Sequence, residues 1–421
     1  KAARHIRDVF GDLGLGTSLF PFRTHTFDDA SASLSFPGLG EVPCVAVPCS
    51  ETTARSGVKA PLVVIEAGNE ICLRPEMRGK IIMTLGGFRG KDYEALLAVR
   101  PAGAVCIDGK MFTNAHRKKL DADSKRKFGT VPMVNVGYED GIRILAKAPS
   151  SCTLRVTTRG ERLGRSFNPV GELRGMEKPD EVIVVGGHYD SVWGAQGCQD
   201  NAAGMAIVIE LARVFAERGC ARTLRFMGFG AEEQGLCGSI AYVKKLRDDD
   251  ERLKKNETFV RDGRKTGLDR IRFMVNVDVH GTKLGQTGAW PCGPTDVSAS
   301  VRLLSMELGM PCGIHEDAVY SSDNTPFGVA GVPSVSFGRY GANTMFGHTD
   351  SDTIEHCDAA GLAQAGVFIE QWISRYVSAC KAFPFERTIP AGMQEKLKTY
   401  FGGREIFKYE PQFPRKRRHA R

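Results

Sequence analysis

A three-layer α/β/α sandwich built on a mostly parallel, mixed sheet is the fold this sequence predicts for its larger part. Three observations predict it. Beyond about residue 150, short apolar runs alternate with amphipathic helical segments, the pattern of a parallel sheet covered on both faces. Four of those runs end at or just before a residue type that binds metal: His188, Glu232-Glu233, Asp278 and His348. In open α/β sheets the ligand site lies beyond the carboxyl ends of the strands, so four such ends converge on one place. The earlier part of the chain carries a second set of short apolar runs separated by turn chemistry, which predicts a smaller α/β unit.

Taken in order, residues 1–14 read as a short helix stopped by Gly14, and 15–60, rich in Gly, Pro, Ser and Thr, as strand or loop. Runs at 62–65, 80–85, 104–107 and 131–136 read as strands, with helices at 92–99 and 138–146. A strand at 151–158 and the segment 162–174 lead into the first metal-bearing run, Glu181 to Gly187. Helices are expected at 202–218, 239–246, 298–308 and 359–379, and the charge-dense stretch 247–265 reads as an exposed connection. The boundaries that follow are 1–37 with 151–410 for the larger unit, 38–150 for the smaller, and 411–421 for a basic tail.

Bulk properties exclude several classes. With 42% apolar and 25% charged residues, the 421-residue chain has a globular composition, and its length favours two domains. No apolar stretch approaches a membrane span. Part of the net charge of +8 sits in Pro414–Arg421, read as a solvated tail; no aromatic or Gly-rich nucleic-acid module accompanies it, so no nucleic-acid partner is expected. The twelve cysteines contain no CxxC pair, and Cys106 and Cys237 lie in apolar runs. Mostly free thiols are expected, which leans toward a cytoplasmic setting. The first residues lack a signal-peptide core, but without an initiator Met a trimmed, exported form stays open.

The chemistry lies in the strand-end residues. His188 and Asp190 are two apart, so both face one side, and a metal-binding His usually gives its other N–H to a carboxylate or carbonyl. Asp200 stands just before a helix, where an N-cap and a ligand are both compatible roles. Glu232 and Glu233 repel one another unless a cation neutralises them; one can bind metal while the other moves a proton. Asp278 in a Val-rich run is costly unless paired. His280, His315 and His356 fit no such pattern. His, Asp, Glu, Asp and His suffice for two divalent cations about 3.5–4 Å apart if one carboxylate bridges. Nitrogen and oxygen donors without thiolate suit Zn²⁺, with Mn²⁺ or Co²⁺ as substitutes. Such a pair activates water for amide hydrolysis.

Five blocks in order resemble the co-catalytic zinc exopeptidases of the bacterial leucyl aminopeptidase, aminopeptidase Y and carboxypeptidase Q group. They are Gly187-His188-Tyr189-Asp190-Ser191, Gln199-Asp200-Asn201-Ala202-Ala203-Gly204, Ala231-Glu232-Glu233-Gln234-Gly235-Leu236-Cys237-Gly238-Ser239, Asn276-Val277-Asp278 and His348-Thr349-Asp350-Ser351-Asp352-Thr353. The resemblance implies that His188 and Asp278 hold one zinc, that Glu233 and His348 hold the other, and that Asp200 bridges them. It further implies that Glu232 is the general base and that Asp190 orients His188. Segments 80–83, 102–107 and 131–141 are similar to the protease-associated domain inserted in many of these enzymes. Ser322–Phe327 resembles the substrate-pocket segment, with Asn324 where many members have His. Cys198 stands where a small residue is common, and Pro169 interrupts the usual apolar strand. The activity implied is aminopeptidase action on peptides. The alternatives are a carboxypeptidase or dipeptidase, a glutaminyl cyclase with one zinc, and a non-catalytic receptor-like module.

Overall fold

A computed structural model describes residues 1–407 apart from 27–29, 89, 112–113, 117–119, 121, 159–161, 380 and 403–404. The tail expected at 411–421 lies outside the described residues. After a helix over Ala2–Asp12, strand β1 (Gly16–Thr26) opens one sheet. The chain then builds a second sheet from β2 (Ser31–Phe36), β3 (Gly40–Val42), β4 (Val45–Ala46), β5 (Val58–Ala67), β6 (Ile81–Leu85), β7 (Gly103–Ile107), β8 (Met133–Val136) and β9 (Ser151–Thr157). It returns to the first sheet with β10 (Arg162–Leu173), β11 (Lys178–His188), β12 (Arg222–Phe229), β13 (Ile271–Val277), β14 (Gly285–Cys292), β15 (Cys312–Ile314) and β16 (Ser334–Gly341). The second sheet is therefore inserted between two neighbouring strands of the first.

The first sheet runs β1-β10-β12-β11-β13-β16-β14-β15, and its centre, β12-β11-β13-β16, is parallel. Alternation along β11 shows why the run is continuously apolar. Ile183 and Val185 enter a core with Phe226, Phe273 and Trp372, while Val182 and Val184 enter another with Met227, Phe229 and Met274. Helices Ala203–Arg218, Thr295–Leu308 and Ala359–Trp372 cover the first face. Helix Cys237–Lys254 covers the other through Tyr242 and Val243. Burial on both faces makes three layers. In the second sheet β5, β6, β7 and β8 are parallel neighbours. Among the described residues, no helix is long and apolar enough to cross a membrane.

Three expectations need correction. The charge-dense stretch 247–265 is not simply a connection: the helix Cys237–Lys254 runs on through it, and a short helix Glu257–Arg261 follows. Charges at i,i+4 spacing support a helix, as Lys244 with Asp248 (3.0 Å) and Lys254 with Asp250 (2.9 Å) do here. Residues 31–36 and 151–157, assigned from sequence to the larger unit, pair with each other in the second sheet. Pro169 does not interrupt its strand. It pairs opposite Leu19 of β1, and the ladder to β12 starts only at Val170, so its missing N–H costs that ladder nothing.

Phe226 is fully buried beneath the parallel centre. Phe226→Ala is expected to lower unfolding stability by about 3–5 kcal/mol, seen as a lower urea midpoint.

Candidate metal centre

The parallel register lines up the strand ends: His188, the last residue of β11, lies opposite Phe229 at the end of β12, and Gly186 lies opposite Asn276 of β13. Asp278 directly follows β13 and Glu232-Glu233 follow β12 within a tight turn. His348 comes from the loop after β16, and Asp200 from the turn Cys198–Ala202 that starts the helix Ala203–Arg218. Ala231, Leu236, Val279 and His348 flank these positions with positive φ values of 56°, 59°, 56° and 65°. Non-glycine residues held there cost roughly 1–3 kcal/mol each and cluster at functional sites, where packing over-determines them.

All five expected ligands meet in two triads that share Asp200. His188 Nε2 lies 3.0 Å from Asp278 Oδ1 and 3.0 Å from Asp200 Oδ1. His348 Nε2 lies 3.1 Å from Asp200 Oδ2 and 3.1 Å from Glu233 Oε2. Within each triad one donor atom per residue lies within 4.8 Å of the others. Each oxygen of Asp200 thus serves a different triad. The donors are imidazole nitrogen and carboxylate oxygen, and the buried Glu233 Oε1 has no hydrogen-bond partner. This set fits divalent cations of the zinc class.

The supports differ in part from expectation. His188 Nδ1 donates to the backbone carbonyl of Asp190 at 2.9 Å, while the nearer Asp190 carboxylate oxygen is 3.9 Å away. The ring is therefore fixed by a carbonyl. The Asp190 side chain instead accepts the backbone N–H groups of Glu232 (3.0 Å) and Glu233 (3.4 Å), so it shapes the turn that presents both glutamates. Two supports were not singled out from sequence, although both stand inside the quoted motifs. Asp352, fully buried, accepts the backbone N–H groups of Gln199 (2.8 Å) and Asp200 (3.2 Å). Asn201 donates to Val277 O (2.9 Å) and accepts from Gly204 (3.1 Å) and Val279 (3.2 Å), tying the end of β13 to the Asp200 turn. A side chain at position 204 would collide with Asn201, so glycine is needed there. Of the other histidines, His280 is buried with its Nε2 3.0 Å from Phe337 O, His315 stacks on Trp290 and His356 on Phe346.

Charge is crowded. Burial pushes the Glu232 carboxyl well above its usual range; His188 opposes this, and Asp323, Asp278 and Glu233 add to it. Burial also raises Glu233, against the pull of His348. Burial raises Asp323 to about 7, again against His188. For His348, burial disfavours the charged ring, but Asp200 and Glu233 outweigh it and lift the group to about 10. Protons on the imidazoles offset part of this negative charge, the task a bound cation performs when the ligands deprotonate.

Two spaces meet at the triads. A chamber of about 550 Å³ is walled by Trp290, Val319, Tyr320, Ser321, Tyr340 and Tyr400, with His188, Asp200, Glu232, Glu233 and Asp278 along its floor. Tyr320 donates to Asp278 O (3.1 Å) and its hydroxyl is 2.5 Å from that of Tyr340. A cleft of about 1050 Å³ opens between the sheets, with Phe88, Asp108, Lys110 and His116 on one side and Trp193, Asp200, Glu233 and His348 on the other. Lys110 donates to Met345 O (3.2 Å) and Asn114 to Asp350 (2.7 Å), which join the inserted sheet to the His348 loop.

Comparison with known proteins gives a consistent picture. The model of peptidase family M28 matches residues 168–373. Aminopeptidase YwaD of Bacillus subtilis is 27% identical over 364 residues, covering 84% of this chain and 74% of that protein. Carboxypeptidase Q of Bos taurus is 26% identical over 279 residues, covering 59% of this chain and 57% of that protein. The fold is similar to that of BSAP, a zinc aminopeptidase from Bacillus subtilis, with a TM-score of 0.68, 24% identity and coverage of 93% of this chain and 92% of that one.

Removing the Asp352 carboxylate frees two amides that set the position of Asp200. Asp352→Ala is expected to weaken zinc binding about 10- to 100-fold in a competition titration with a chromophoric chelator.

Proposed function

Residues 168–373 match the model of peptidase family M28, and from that likeness we propose that the protein is a zinc-dependent aminopeptidase. It removes N-terminal residues from peptides at a centre of two zinc ions. His188 and Asp278 would hold one ion and Glu233 and His348 the other, with Asp200 shared by both groups. Mn²⁺ and Co²⁺ are substitutes by donor type. Zinc held there supplies positive charge that polarises the scissile carbonyl and acidifies water.

The observation that carries the amino-end reading is the chamber lining. It combines four aromatic residues with the site's carboxylates and, among the described residues, includes no Lys or Arg. Such a space suits a single residue with an apolar side chain and a free ammonium, and disfavours a terminal carboxylate. The rest of the peptide lies in the larger cleft. Glu232, half-buried beside both triads, takes the proton of the attacking water and delivers it to the leaving amine. Its raised proton affinity matches that shuttle. Asp190 keeps the Glu232 turn in place through the two backbone N–H groups. The inserted sheet is read as a protease-associated-like unit that bounds the cleft.

A dipeptidase reading is favoured by one observation: Lys110, on the cleft side, offers a cation where the free carboxylate of a short leaving portion would lie. Lys110→Met is expected to abolish the preference for a free dipeptide over its amide, with the ratio of kcat/KM for the two falling about tenfold. An unchanged ratio removes this reading and leaves the aminopeptidase one.

Glu232→Gln tests the main assignment, since it removes proton transfer and keeps the shape. It should retain wild-type zinc by elemental analysis and lose about 100- to 10,000-fold in kcat on aminoacyl anilides. Wild-type turnover in this variant would refute the assigned base.

A further inference from the structure

Two thiols from distant parts of the chain meet beside the metal centre. Cys198 Sγ and Cys357 Sγ are 2.6 Å apart, across 159 positions of sequence. Cys198 opens the turn that carries Asp200, and Cys357 ends the loop that begins at His348. Both residues are partly exposed, so a small reagent reaches them. Their meeting is braced from each side. Cys198 N donates to Asp352 O at 3.3 Å, and Gln199 and Asp200 bond the Asp352 carboxylate. Asp358 N donates to Gly281 O at 2.8 Å, and Thr282 bridges to Cys357. Gly281 has φ of 86°, and a Cβ there would stand 2.8 Å from Cys357 Sγ, so the glycine leaves the sulfur its place.

These loops carry two residues assigned to the centre, Asp200 and His348, and Asp352 of the second loop already bonds the first. We propose that Cys198 and Cys357 are a disulfide-forming pair that fastens the Asp200 turn to the His348 loop and slows the loss of metal; the second half rests on the zinc reading above. The oxidant is a low-molecular-weight disulfide. One cysteine, as thiolate, attacks it and releases one small thiol. The second cysteine then attacks the mixed disulfide and releases the other. Two protein thiols lose two hydrogens in all, and the small disulfide is reduced to two thiols.

The test uses the full chain loaded with zinc, treated either with oxidised glutathione or with a phosphine reductant. Peptide mapping without reduction is expected to give one cross-linked species containing Cys198 and Cys357 after oxidation. That species should be absent after reduction. Zinc release to a chromophoric chelator should be at least about threefold slower in the oxidised protein. In Cys357→Ser and, separately, in Cys198→Ser, release should be equally fast under both treatments. Full alkylation of both cysteines after oxidised glutathione overturns the proposal, and so does a cross-link that leaves zinc release unchanged. A cross-linked protein that holds no zinc under either treatment overturns the zinc reading and leaves the cysteine pair standing.

Discussion

Asp200 has to present one carboxylate oxygen to His188 and the other to His348, and most of the surrounding structure exists to make that possible. The residue does not sit on a strand. It is held in a turn by backbone bonds to Asp352, while Asn201 next to it ties the same turn to the end of β13. Around it stand Asp278, Glu232 and Glu233, so several carboxylates share a poorly hydrated space. Two unit negative charges about 4 Å apart at a protein-like dielectric oppose each other by about 4 kcal/mol. Folding alone does not gather such groups; they are stable together when protons or cations lie between them. Each triad brings one nitrogen and two oxygens within 4.8 Å of one another, a donor set that fits the second option.

Much of this was legible in the sequence, and the reasons are physical. Strands buried on both faces must be continuously apolar, so β11, β12 and β13 announced themselves, and a charged residue at the end of such a run had to face a site. The candidates His188, Glu233 and Asp278 followed from that, whereas Asp200 was read from its place before a helix and His348 from its place beyond the last such run. What escaped was the layer of groups acting through main-chain amides. Asp352 and Asn201 bond backbone N–H groups of residues brought near by folding, and nothing in their own neighbourhood reveals the partner. The role of Asp190 shifted for the same reason: spacing placed it beside His188, but the turn at Glu232 brought better donors to its carboxylate. Residues 247–254 misled in the opposite way, since a dense run of charge reads as solvent-exposed while its i,i+4 pairing supports a helix.

The inserted sheet was visible as a separate set of short strands, but its margins were not. The strands at its two ends, β2 and β9, pair with each other, so the sequences entering and leaving the insertion belong to it. Strand β1 then pairs with β10 over 11 positions on the far side of the crossing. The insertion is anchored at two chain crossings and by Lys110 and Asn114 at the His348 loop. Its position over the centre is thus set by the same loop that carries His348.

The walls of the chamber have a different origin from its floor. Apart from Asp200, the floor comes from strand ends of the parallel centre, whereas Trp290 belongs to β14, which runs antiparallel to β16, and Tyr400 to the helix Ala391–Tyr400, where its hydroxyl meets Ser321 at 2.6 Å. On the proposed reading, selectivity and reactivity are therefore written largely in separate stretches of chain. On the same reading, changes around residue 400 redraw which side chain is admitted without touching a donor atom, so one hydrolytic engine can be re-targeted by small edits far along the polypeptide.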